Sequence, residues 1–172
     1  MTITFGTAFR RRSSREIADG TFVVAELGDA FLLCLKGGTQ HEALYAVLAQ
    51  QGSELKGAVP TWVNALGMGS EVCPLEGLHL EFGPGAFQLP VATTAPKNGA
   101  IAIDENGGHW LYLKDQNTPG VQYVNLATGE FRAQIGPNRS FFQEWRIVWR
   151  ESPDHDPVTV ASMGSAPHWH VA

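Results

Sequence analysis

Short apolar runs and strict alternations fill most of the chain and are cut by glycine and turn dipeptides, a pattern that predicts many short β-strands. Ile3 and Phe5 alternate with Thr2 and Thr4. Residues 21–27 and 30–35 are two β-type runs separated by the turn dipeptide Gly28-Asp29, which reads as a hairpin. Leu78, Leu80 and Phe82 alternate with His79 and Glu81 before Gly83-Pro84-Gly85 breaks the strand, and residues 86–98 are expected to be irregular. The clearest region runs from Ala100 to Leu126: Ala100–Asp104, the turn Glu105-Asn106-Gly107-Gly108, His109–Lys114, a second turn over Asn117–Gly120, and Val121–Leu126. It predicts an antiparallel meander, extended through Thr128-Gly129 into Phe131–Ile135.

Three segments carry helical intervals instead. Thr39 and Glu42 have capping-box spacing, and Leu44, Val47 and Leu48 recur helically before Gly52, so a helix is expected over 40–51. Pro60 suits a first helical position, with Trp62, Val63 and Leu66 on one side and Gly67 as a stop. Ser140 and Gln143 repeat the capping-box spacing, and Phe141, Trp145, Val148 and Trp149 fall at i, i+4, i+7 and i+8. The fold class expected is therefore α+β, an antiparallel β-meander sheet packed with two or three short helices. Residues 1–152 would form a single domain, and 153–172, with the short β-like Val158-Thr159-Val160, a C-terminal appendage.

Composition narrows the function classes. A chain of 172 residues with 44% hydrophobic content suits one core, and 19 glycines with 10 prolines suit a turn-rich fold. No apolar run approaches the roughly 20 residues of a spanning helix, and Phe31–Leu35 is followed at once by Lys36 and two glycines, so no membrane role is expected. Arg10, Arg11 and Arg12 are followed by Ser13-Ser14-Arg15-Glu16 rather than by an apolar stretch, unlike an export signal, which points to the cytoplasm. Two cysteines, Cys34 and Cys73, are too few for a disulfide framework, and Cys34 between two leucines reads as core. The four early arginines conceal an acidic body: residues 17–172 carry 8 positive and 16 negative side chains. Such a body repels nucleic acid phosphates and steers basic partners toward it.

Candidate chemistry is sparse. Asp104, Glu105 and Asn106 offer oxygen ligands but lack the loop of an EF-hand, so a plain hairpin turn is the reading. Asp154, His155, Asp156, His168 and His170 are metal-ligand types without a metal spacing, Gly67-Met68-Gly69 lacks the lysine of a phosphate loop, and no metal or cofactor is expected. The arginines at 10–15 read as a solvated face near a terminus. Trp62, Trp110, Trp145 and Trp149 fit core positions, whereas Trp169 in the tail suits an intermolecular contact.

Residues 103–108 (Ile-Asp-Glu-Asn-Gly-Gly), Gly120-Val121-Gln122-Tyr123 and Ser140-Phe141-Phe142-Gln143-Glu144-Trp145 together resemble the SUKH superfamily, whose core joins a D-G-G-type hairpin and a G-x-V strand to a closing S-F-x-E-[FLW] helix. Pro60-Thr61-Trp62 resembles a degenerate form of that family's L-P-x-x-[YF] helix, with Val59 in place of the leucine. The resemblance, over about residues 99–147, implies an immunity protein: a non-enzymatic inhibitor that binds a toxin and occludes its active site. Asp104, Glu105, Asp115 and Glu130 are the expected contacts to a basic protein partner, with Trp169 as a further partner contact. The alternative is a structural or assembly protein, a virion or multimeric component whose termini are held by a neighbour.

Overall fold

In a computed structural model the described residues are 10–51, 60–64, 70–82, 87–88, 96–114, 121–136, 140–150, 154 and 156–163. They build three antiparallel sheets and no α-helix. Sheet I contains β1 (Arg12–Ser13), β2 (Phe22–Leu27), β3 (Ala30–Gly38), β4 (Ala43–Gln51), β5 (Thr61–Asn64) and β6 (Glu71–Pro74), in the order β1-β6-β2-β3-β4-β5. Next in the chain come β7 (Leu78–Phe82), β8 (Phe87–Gln88), β9 (Ile101–Ile103), β10 (His109–Lys114), β11 (Val121–Asn125), β12 (Phe131–Arg132), β13 (Ser140–Phe142), β14 (Trp145–Trp149) and β15 (Val158–Met163). Sheet II is ordered β12-β11-β10-β9-β13-β8, and sheet III β15-β14-β7.

The hairpin over residues 22–38 and the antiparallel pairing of 101–103, 109–114 and 121–125 form as the alternation predicts, with Gly28 at positive φ in the first turn, and the turn expected over Asn117–Gly120 lies outside the described residues. The three expected helices do not form, and the α+β reading is corrected to an all-β one. Thr39 does accept hydrogen bonds from the His41 and Glu42 amides, as a cap would, but the Thr39 amide returns to the Glu42 carbonyl and closes a hairpin turn. Residues 43–49 are then apolar at every position, and such a run fits a strand buried on both faces as well as a helix. Leu44, Ala46 and Leu48 face one core and Tyr45 and Val47 another, with a register shift opposite Leu33/Cys34. Thr61–Asn64 is an edge strand paired with β4 rather than a helix after Pro60. Ser140–Trp149 splits at Gln143-Glu144 into β13, on sheet II, and β14, on sheet III. Aromatic and β-branched residues dominate that segment, and in β14 Trp145 and Ile147 enter the core while Arg146 turns to the opposite face and pairs with Glu81. Val158–Met163, within the segment read as an appendage, pairs with β14 along its length. Phe87–Gln88, in the stretch expected to be irregular, pairs with β13.

The sheets meet at a core to which all three contribute: Leu33, Leu35, Leu44, Ala46 and Leu48 from sheet I, Ile101, Leu111, Leu113, Val124 and Phe131 from sheet II, and Trp145, Ile147 and Ala161 from sheet III. Within it lies an apolar cavity of about 80 Å³, lined by Phe22, Leu48, Leu80, Ile101, Leu111, Leu126, Trp145 and Ile147. A second cluster, with Val23, Ala25, Leu32, Cys34, Tyr45, Val47 and Val72, covers the other face of sheet I. Sheets I and II are joined by backbone at a glycine crossing. The Gly38 amide of β3 donates to the Gly129 carbonyl beside β12, while the Gly20 amide, within sheet I, donates to the Lys36 carbonyl. A Cβ on Gly37 would collide with the Gly129 backbone, and Gly129 itself sits at φ 71° against Gly20 and Lys36.

Candidate functional site

The hairpin between β9 and β10 is built by one carboxylate. Asp104 Oδ1 accepts the amides of Asn106 (2.9 Å) and Gly108 (2.8 Å), and its backbone closes the turn with Gly107 and Gly108. Gly107 supplies the positive φ (80°) that the turn needs. The other oxygen, Oδ2, accepts the Trp110 indole N–H at 2.8 Å. Gly108 leaves room for this bond, since a Cβ there would lie 2.8 Å from Oδ2 and 2.9 Å from the indole nitrogen. The indole N–H, followed by the Gly108 amide and then the Asn106 amide, stabilises the charged form, and with help from nearby Arg132 holds the Asp104 carboxyl below the usual carboxylate range. With both oxygens committed, Asp104 is a turn staple.

Alternation along β10 sends Leu111 and Leu113 to the central core and Trp110 and Tyr112 to the outer face of sheet II. There the Arg132 guanidinium lies 5.0 Å from the centre of the Trp110 ring. Arg132 also holds Glu130 through two parallel bonds, 2.6 and 2.9 Å, which raises the guanidinium's affinity for its proton. Tyr112 and Tyr123 pack at 5.3 Å beside it, with Ile135 and Phe141 against the same cluster. The result is a continuous array, Asp104–Trp110–Arg132–Glu130, across β9, β10 and β12.

Asp104 and Glu130, both expected contacts, are thus brought together, though each is engaged within the molecule. Glu105 stands exposed at the hairpin tip and makes no ion pair with a described residue. Asp115 and Trp169 lie outside the described residues, as do His155, His168 and His170. Arg132 is the residue that sequence reading missed. Its signal was its place two residues after Glu130, in a strand whose neighbour carries Tyr123. At this face Asp104, Glu105 and Glu130 stand against two cations, Arg132 and the exposed Lys114, which alternation puts on the same side of β10 as Trp110 and Tyr112.

A second polar cluster sits on the outer side of sheet III, where Arg146 bonds Glu81 at 2.8 Å and Arg150 reaches the other Glu81 oxygen at 3.3 Å. Among the described residues no group of three or more His, Cys, Asp or Glu is placed to hold a metal ion. No described helix is long and apolar enough to cross a membrane. Cys34 and Cys73 are free thiols, and burial pushes both above the ordinary thiol value. No protein-family model, curated protein or solved structure matches the chain.

Proposed function

We propose that this is a non-enzymatic binding protein that docks a basic protein partner on the outer face of sheet II, centred on the Asp104–Gly108 hairpin. The observation that carries the reading is the Asp104–Trp110–Arg132–Glu130 array, which anchors the acidic hairpin on the buried rings of Trp110, Tyr112 and Tyr123 before any partner arrives and leaves Glu105 projecting from it. A surface ordered in advance loses little entropy on association, and the exposed Arg132 is a side chain of the kind that anchors interfaces. The negative excess there matches the acidic body and favours a basic partner.

An immunity-type inhibitor that occludes a toxin's active site is the specific form of this proposal. It draws its support from residues 103–108, which form the hairpin, and from Val121–Asn125, which form the neighbouring strand. The closing helix that the resemblance implies is replaced by β13 and β14. A cytoplasmic setting belongs to the same proposal and is supported by two free thiols, which a reducing compartment maintains.

The test compares capture by the full chain with capture by Glu105→Lys and by Glu71→Lys, a control at an exposed position on sheet I. Glu105 is the chosen probe because substitution there leaves the turn hydrogen bonds intact. A basic partner bound roughly tenfold more weakly by Glu105→Lys, and normally by Glu71→Lys, is the expected result. Equal retention by all three chains would contradict it.

A further inference from the structure

We infer that the cavity where the three sheets meet is a binding site for a short apolar ligand, the end of an alkyl chain of about three or four carbons. Its deep wall is made by Ile101, Leu111, Trp145 and Ile147, each no more than 2% exposed, and its mouth by the half-buried Phe22, Leu80 and Leu126. Phe22 belongs to sheet I and Leu80 to sheet III, and Leu126 follows directly on β11 of sheet II, its amide bonded to the His109 carbonyl, so a chain entering between them touches residues from all three parts of the fold. Among the lining side chains the sole polar atom is the Trp145 indole nitrogen, and it already donates to the Gly99 carbonyl at 2.7 Å.

A water molecule held inside a protein needs two to four hydrogen-bond partners, and these side chains have none to give. Methyl and methylene groups, by contrast, would gain the dispersion contacts that the wall lacks while the space is empty. Size sets the ligand class. An apolar cavity of about 150 Å³ takes benzene, with six carbons, so a cavity of about 80 Å³ takes roughly half as many. A polar head on the ligand remains at the mouth, in water.

The probe is 1-butanol, with 1,4-butanediol as the matched molecule that would have to bury a second hydroxyl. The readout is the methyl resonances of Ile101, Leu111 and Ile147 in the ¹³C-methyl-labelled full chain. Saturating shifts at these methyls with 1-butanol, and binding of the diol at least roughly tenfold weaker, are expected because an unpartnered buried hydroxyl is costly. Leu126→Phe, which narrows the mouth, should weaken the 1-butanol response by a similar factor. Shifts that rise linearly without saturation, or an equal response to the diol, would overturn the inference. If Leu126→Phe does not fold, the alcohol and diol comparison on the unaltered chain decides.

Discussion

Asp104 shows how much one side chain can organise. It was expected to contact a partner, and its sequence context, a carboxylate ahead of Glu-Asn-Gly-Gly, made the turn legible but not the carboxylate's own use. Its bond to Trp110 joins residues six apart across the hairpin and depends on Gly108 having no Cβ. Because its folded-state acidity is strengthened, Asp104 contributes stability that is fully present above the unfolded carboxylate value of about 3.9 and is lost as pH falls through the lower folded value. Asp104→Asn keeps an acceptor for the turn amides but cannot carry the charge. Thermal unfolding of the two proteins between neutral and acid pH should therefore show a gap in Tm that closes in the acid range. A gap that stays constant with pH would mean that the charge of Asp104 does not support the turn.

At the scale of elements, strands bounded by glycine turns were readable and helices were read where none exist. Residues 43–49 satisfy helical spacing only because every position is apolar, so any period can be found in them, while 141–149, interrupted by Gln143, Glu144 and Arg146, still holds enough aromatic and β-branched positions to fit a helical and an extended reading alike. Partners distant in sequence decide between the periods: β3 lies along β4, and β7 and β15 flank β14. The capping-box signals at Thr39 and Ser140 mislead for a related reason, since a hydroxyl that can cap a helix can equally close a hairpin turn, as Thr39 does. The glycine crossing is an element-scale device that no local pattern reveals, because Gly20, Gly37 and Gly129 meet only in the fold. Gly37→Ala places a methyl group into the Gly129 backbone and should destabilise the protein by at least about 2 kcal/mol in urea unfolding. A loss under about half a kcal/mol would show that the crossing can open at little cost.

For the whole molecule, all three sheets share one core, and Trp145 ties it together by burying its ring and donating to Gly99 across the sheet boundary. Trp145→Phe removes that donor from a buried carbonyl and enlarges the cavity, so a loss of roughly 2–4 kcal/mol is expected. Full retention of stability would place the core's weight elsewhere. The outer face of sheet II is the other whole-molecule feature, since it needs β9, β10, β11 and β12 in register before its acidic and aromatic groups align. Sequence reading named Asp104, Glu105 and Glu130 as contacts and placed Trp110 in the core, where the structure buries it, but it passed over Arg132, which stacks on Trp110 and holds Glu130. The most direct measurement is a hydrogen-exchange footprint of the captured complex against the free protein. The account predicts added protection at residues 104–110 and 130–132, with sheet I unchanged. Protection confined to sheet I or sheet III would place the partner elsewhere and contradict it.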